Sequence, residues 1–144
     1  MEINYNIRQL NETRYSFELP FGAGVPEKKD IMFGFRHRIG ADKESSSIII
    51  EIVVTVTDKT NESILAENGI MAVFGIDPFD VVVLESNENG IKVSEPRLID
   101  TFINISIGAL RGILAKNFKQ TPLEGCILPL IPMEAIRKMF TTKQ

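Results

Sequence analysis

The sequence predicts an α+β fold in which an antiparallel sheet precedes two C-terminal helices. Over most of the first three quarters of the chain, apolar and polar side chains alternate with the period of two of half-buried strands. The strand-like segments 48–57 and 64–76 are joined by a turn with no helix between them, which favours antiparallel pairing. From Pro96 onward, apolar residues recur every three to four positions, as they do in helices.

The strands are predicted from alternation and from β-branched composition. Residues 48–57 (IIIEIVVTVT) have the composition of a central strand. The stretch 20–29 contains two prolines and two glycines and is predicted to be a loop. In chain order, the predicted strands lie around 3–7, 15–19, 32–38, 48–57 and 64–76.

Residues 77–95 allow two interpretations. Asn89-Gly90 between VVVLE and IKVSE is a strong β-hairpin signal. A short helix over 78–86 is the weaker alternative, because three consecutive valines disfavour it.

The long helix is predicted over 98–117 and is apolar over most of its circumference. Such breadth suggests burial on two sides, by the sheet of its own chain and by another subunit. Glycine costs up to about 1 kcal/mol relative to alanine within a helix, so a close backbone approach is expected at its glycines. That approach is either to another subunit or to the sheet of the same chain. The predicted oligomer interface comprises Ile105, Gly108, Ala109, Gly112 and Ala115.

A short amphipathic helix is predicted at the end of the chain. It follows the proline-containing run ILPLIPMEAI, residues 127–136. Its apolar face consists of Met133, Ile136, Met139 and Phe140.

Length and composition predict one globular domain over residues 1–144. A net charge of -3 disfavours nucleic acid as the main partner. The basic stretch 28–43 is interpreted as a solvated edge strand. Cys126 is the single cysteine and lies in an apolar run, which predicts a buried thiol. With no signal peptide and no uninterrupted apolar run of about 18 residues, we expect a cytoplasmic protein without a membrane span.

No residue set predicts an enzyme, a metal site or a cofactor. The single histidine, His37, is interpreted as structural, and nothing like a G-x-S-x-G, P-loop or G-x-G-x-x-G motif occurs. Asp77 and Asp80 could pair around a divalent ion, as in a small hydrolase or isomerase, but solvated turn aspartates are the simpler interpretation.

A binding function is the remaining class. Methionine adapts to varied apolar partners, and promiscuous binders use such surfaces. Core packing is the default for most of the methionines and phenylalanines. Phe21 and Val25 lie in a predicted loop, and Met139 and Phe140 lie in a terminal helix. Because loops and termini seldom complete a main core, these four are the best candidates for a groove.

Several motifs, taken in order, resemble the SecB family of cytoplasmic chaperones. YSFELP at 15–20 resembles that family's S-F-E-x-P, and FGI at 74–76 ends a long strand pair as A-G-I does there. ALRGIL lies in the long helix, and ILPLIPMEAI resembles L-x-P-x-N-F-x-A-L. Pro132 and Met133 depart from the asparagine and phenylalanine of the last motif, the C-P before the long helix is missing, and 77–96 is longer.

The resemblance implies a four-stranded antiparallel sheet packed against a long helix and a short final helix. It implies a homotetramer, built as a dimer of dimers, and an ATP-independent holdase for unfolded or nascent polypeptides. The implied client groove lies between the crossover loop Phe21–Lys29, the sheet and the helix Met133–Phe140. Because the tail TTKQ is short and not acidic, hand-over to a translocase motor is not expected, and proteins that guard antitoxins fit better. The predicted groove residues are Phe21, Val25, Phe33, Phe35, Met133, Ile136, Met139 and Phe140.

A second function fits the same fold. A partner-specific adaptor would bind one peptide tightly and ignore unrelated unfolded chains. The sequence does not separate this alternative from the holdase.

Overall fold

The computed structural model describes residues 2–19, 24 and 26–141, with the backbone alone for 140 and 141. The chain forms a four-stranded antiparallel sheet, a small hairpin and two C-terminal helices. A 3₁₀ turn at Lys28–Asp30 precedes β2. The elements are β1 (Asn4–Phe17), β2 (Ile31–Asp42), β3 (Ser47–Asp58), β4 (Ser63–Asp77), α1 (Phe79–Val82), β5 (Val83–Asn87), β6 (Gly90–Val93), α2 (Pro96–Asn117) and α3 (Met133–Thr141).

The four strands lie in the order β1-β4-β3-β2, and every neighbouring pair is antiparallel. The β-branched strand β3 is central, as its composition predicts, and β2 lies at an edge, as its charge predicts. Alternate β3 side chains from Ile48 to Val56 are fully buried beneath α2, whereas those on the opposite face are half-buried. One face of the sheet therefore carries the core.

β1 is longer than the alternation predicts. The two predicted segments, 3–7 and 15–19, belong to one continuous strand paired with β4. Arg8 and Thr13 are extra residues in the register with β4, so the apolar period shifts at each of them. Because of these two bulges, the middle of the strand does not continue the period-of-two pattern of either end.

The connection between β4 and α2 contains both structures that the sequence allowed. The hairpin is confirmed: β5 and β6 pair across a turn in which the Asn89 amide donates to Asn87 Oδ1 at 2.8 Å. Helix is limited to one turn, α1, and does not extend over 78–86. The hairpin packs beside β2.

α2 begins at Pro96, two residues before the predicted start. Its inward face packs against β3 and β4, and the Phe102 ring stacks on Phe74 with the ring centroids 4.1 Å apart. By length and composition alone α2 could span a membrane, a property it shares with core helices of soluble proteins. The buried side chains of the helix are Leu98, Phe102, Ile103, Ser106, Ile107, Leu110 and Leu114.

A polar network joins the C-terminal end of α2 to the sheet. Asn68 is fully buried, and its Nδ2 donates to Glu12 Oε2 and to the Arg14 carbonyl, both at 2.8 Å. Asn117 Nδ2 donates to Asn68 Oδ1 at 3.0 Å and to Glu12 Oε2 at 2.7 Å. Each buried amide group is thereby satisfied, which fixes the end of α2 over β1 and β4.

Glu67 links all four strands on the open face of the sheet. It lies on β4 and accepts hydrogen bonds from Arg14 on β1, Thr55 on β3 and Arg36 on β2, at 3.1–3.2 Å. Burial opposes ionisation of Glu67, but these hydrogen bonds and the Arg36 charge outweigh it, and the pKa is lowered.

Candidate functional site

The run 127–132, called here the proline segment, forms neither helix nor strand and contacts α2. Arg111 on α2 holds it: Nε donates to the Leu128 carbonyl at 2.8 Å, and Nη2 donates to the Pro129 carbonyl at 2.9 Å. The Leu128 side chain is buried in the core beneath this clamp. The segment is therefore anchored at its centre.

Anchoring at Leu128 leaves two apolar side chains of the proline segment in solvent. Ile127 is 60% exposed and Leu130 is 86% exposed, the latter the most exposed large apolar side chain among the described residues. Pro129 restricts the backbone and cannot donate a hydrogen bond, so it cannot continue a regular helix or strand here. The segment presents apolar side chains outward on a fixed backbone.

A cavity of about 290 Å³ lies beside Ile127. It is formed where the start of β2 meets the loop after α2, and Phe33 and Cys126 form part of its wall. Burial raises the pKa of the Cys126 thiol and outweighs the nearby Lys28 charge, which lowers it. The prediction of a buried thiol is confirmed.

Phe33 and Phe35 lie on the helix side of β2. They pair with Val56 and Val54 of β3 and are half-buried against the core. Because β2 is an edge strand, their outer sides are less covered than the central residues of β3. Of the two, only Phe33 lines the smaller cavity.

α3 packs against α2, and this packing buries one of its predicted groove residues and leaves others partly exposed. Ile136 is only 1% exposed and belongs to the core, so its side chain does not contribute to the surface of this chain. Met133 and Met139 are half-buried at the edge of the core. Arg137 fixes the helix, because its Nη2 lies 2.9 Å from Asp100 Oδ2 of α2.

Three predicted groove positions cannot be placed. Phe21 and Val25 lie outside the described residues, and the Phe140 side chain does too. The crossover loop therefore remains a prediction from the sequence.

The outer face of α2 carries the predicted interface residues. Gly108 and Gly112 are exposed, and Ile105, Ala109 and Ala115 are half-buried. A Cβ atom at Gly112 would meet nothing within 4 Å, and one at Gly108 would meet only Arg111 Nη1 at 3.9 Å. Packing on the chain's own sheet, one of the two explanations for these glycines, is therefore wrong.

A second cavity had no counterpart in the sequence analysis. It measures about 650 Å³ and lies between β2, the β5-β6 hairpin, the start of α2 and α3; we call it the hairpin cleft. His37 is half-buried and lines it, and its interpretation as a structural imidazole stays a prediction. The sequence feature that pointed towards this cavity was the Asn89-Gly90 hairpin signal. It predicts the hairpin but not the element against which the hairpin packs.

The alternative carboxylate pair gains no support. Asp77 and Asp80 are both exposed. Within the described part of the chain, no group of three or more His, Cys, Asp or Glu side chains could hold a metal ion.

Comparison with solved structures identifies the architecture. The chain is similar to the Mycobacterium tuberculosis SecB-like chaperone Rv1957, solved in complex with a ChAD peptide from the HigA1 antitoxin. The TM-score is 0.56 at 12% identity, and the match covers 89% of this chain and 90% of that chain. The fold is SecB-like.

Sequence comparisons do not extend this likeness. No family profile and no curated protein sequence matches the chain. At 12% identity the likeness establishes the fold alone. It confirms the predicted fold class: an α+β protein with a four-stranded antiparallel sheet and C-terminal helices.

Proposed function

We propose that this protein is an ATP-independent holdase that binds unfolded or unstructured polypeptides at apolar surfaces. The single observation that carries the proposal is the outward display of Ile127 and Leu130 on a segment anchored by Arg111. An exposed apolar surface on a fixed backbone is a ready site for an apolar chain. The SecB-like fold, and the peptide bound to the similar mycobacterial chaperone, support a polypeptide as the ligand.

The energetics show how large the surface must be. Burying two aliphatic side chains contributes about 3–6 kcal/mol in all. A micromolar complex requires about 8 kcal/mol after the cost of association is met. Ile127 and Leu130 alone are therefore insufficient, and the binding surface extends to Phe33 and to Met133 and Met139. We place the crossover-loop residues Phe21 and Val25, together with Phe35 and Phe140, at its margins.

The experiment is suppression of aggregation. A chemically unfolded, unrelated protein is diluted into buffer with increasing amounts of this protein, without ATP, and light scattering is followed. We expect suppression near stoichiometric ratios. Absence of suppression by the folded protein contradicts the holdase.

Matched variants locate the surface. Leu130→Asp is expected to reduce suppression several-fold, because it places a charge where an apolar client would lie. Leu84→Asp is the control, since Leu84 is an exposed aliphatic residue on β5 and is not part of the proposed surface. Equal loss in both variants, or no loss in Leu130→Asp, contradicts the assignment of the surface.

We further propose that the protein acts in the cytoplasm as a homo-oligomer, a dimer of dimers, with the outer face of α2 as an interface. The unoccupied space over Gly108 and Gly112 supports a close approach by another copy. The proposed activity involves no cofactor and no chemical step.

A dedicated adaptor is the second candidate. The mycobacterial chaperone was solved with a peptide from one particular antitoxin, which favours a single partner over general clients. Tight binding of one peptide, without suppression of unrelated aggregation, would distinguish this candidate.

A further inference from the structure

The hairpin cleft has an apolar interior and a charged rim. The residues of its apolar lining come from three elements: Ile39 of β2, Ile91 and Val93 of β6, and Ile99 and Ile103 of α2. Its volume of about 650 Å³ falls within the range of ligand-binding pockets. Apart from His37, the titratable groups that line it are Arg38, Glu88, Arg97, Asp100 and Arg137.

Two of the three arginines at the cleft are already bound to carboxylates. Arg137 Nη2 lies 2.9 Å from Asp100 Oδ2, and Arg38 Nη2 lies 3.0 Å from Glu51 Oε2. The third, Arg97, is exposed at the start of α2 and has no side-chain hydrogen bond or ion pair with any described residue. Arg97 is thus the guanidinium available to a ligand.

The ion pairs at the rim leave one cation for an anion to meet. Arg38 pairs with Glu51 and Arg137 pairs with Asp100, so Arg97 is the guanidinium among the lining residues without a carboxylate partner in the described part of the chain. Glu88 at the hairpin turn opposes a bound anion, and both Glu88 and Arg97 are exposed and screened by salt, so the preference for an acid rests on direct contact with Arg97 rather than on net charge.

The position of the cleft favours an extended chain. β2 lies at the edge of the four-stranded sheet, and the lining residues His37, Arg38 and Ile39 are consecutive in it. An extended peptide that lies between β2 and the hairpin can place alternate side chains in the pocket.

We infer that the hairpin cleft binds a client segment that combines apolar side chains with an aspartate or glutamate, and that Arg97 selects the acid. The inference rests on the proposed function, because it takes an unfolded polypeptide as the ligand. The apolar side chains occupy the lining of Ile39, Ile91 and Ile99. The carboxylate of the segment accepts hydrogen bonds from the Arg97 guanidinium at the rim.

The test is a double-mutant cycle with two peptides. A short fluorescein-labelled peptide of Leu and Ser residues carries a central Asp pair, and its partner peptide carries Asn at the same positions. Anisotropy gives both affinities for the unaltered protein, for Arg97→Gln and for Lys116→Gln. Lys116 is the matched control, an exposed cation near the other end of α2.

We expect the unaltered protein to prefer the Asp peptide by about fivefold, the upper range for an exposed ion pair. Arg97→Gln should abolish that preference while leaving affinity for the Asn peptide unchanged, and Lys116→Gln should retain it. An equal loss in both variants would assign the preference to overall charge and overturn the inference. A preference that survives in Arg97→Gln would overturn it as well.

Two further outcomes separate the possible failures. If both peptides bind equally and aggregation is still suppressed, the cleft inference fails and the holdase stands. If neither peptide binds and aggregation is not suppressed, both fail together. Displacement of the Asp peptide by octanoate at lower concentration than by the unlabelled peptide would reassign the cleft to a small apolar acid and overturn the peptide assignment.

Discussion

Arg111→Ala removes both hydrogen bonds that hold the proline segment on α2. Hydrogen bonds to charged groups contribute about 1.5–3 kcal/mol each. Arg111 is half-buried and the Pro129 carbonyl lies at the surface, so solvent screens part of this. We therefore assign about 1.5–2 kcal/mol to the two bonds together. Local opening of the segment should become roughly 10- to 30-fold more populated.

Cys126 reports this opening directly. It is the single cysteine, it is buried, and it precedes the proline segment in the chain. Its reaction with a thiol reagent in native buffer requires local opening, so the labelling rate follows the open population. We expect labelling of Arg111→Ala to be roughly 10- to 30-fold faster than in the unaltered protein.

Two controls define the result. Arg111→Lys keeps the charge but loses the planar guanidinium group. Its labelling rate should lie between that of the unaltered protein and that of Arg111→Ala. Lys116→Gln removes a charge from the same helix without touching the segment, and it should label at the original rate. If Arg111→Ala labels no faster than the unaltered protein, the clamp does not hold the segment, and the basis for the outward display of Ile127 and Leu130 is wrong.

The other predictions concern stability and assembly. Asn117→Ala leaves the buried Asn68 carbonyl without a side-chain donor and should lower the free energy of unfolding by about 1–3 kcal/mol in a urea titration, whereas an unchanged midpoint would exclude the network as a stabilising element. Because the folded pKa of Glu67 is lowered, its contribution is present above its ordinary value of 4.5 and is lost as pH falls through the folded pKa. Glu67→Gln should therefore reduce stability at neutral pH and flatten the decline on acidification, and an unaltered pH profile would contradict this. Gly112→Met should dissociate the proposed oligomer in size-exclusion chromatography without unfolding the chain, since no atom lies within 4 Å of its Cβ position; an assembly that persists would place the interface elsewhere.

The sequence predicted most of the fold because the strong periodic signals coincide with real burial. β3 alternates fully buried and half-buried side chains along its length, as its alternating positions require. α2 follows its apolar spacing closely, and Asn89-Gly90 marks the hairpin that forms. The signal failed where the backbone departs from regular geometry, at the two bulges of β1.

The candidate site was harder to predict from the sequence, because the exposure of a side chain depends on which other elements pack around it in the folded chain. Met133, Ile136 and Met139 share one predicted apolar face, yet packing against α2 buries Ile136 and leaves the methionines at the edge of the core. Ile127 and Leu130 are exposed, but in the sequence they are only two members of an apolar run. The sequence does not indicate that their side chains point into solvent.

Local sequence was sufficient for β2, β3 and β4, for the hairpin turn and for the two C-terminal helices, because periodicity and turn chemistry act over a few residues. Tertiary structure decided which apolar side chains remain in solvent. Arg111 reaches residues 17 and 18 positions away to hold the proline segment, and the hairpin meets β2 across a long stretch of chain. Such contacts depend on the packing of whole elements, so the proline segment and the hairpin cleft take shape only when the chain has folded.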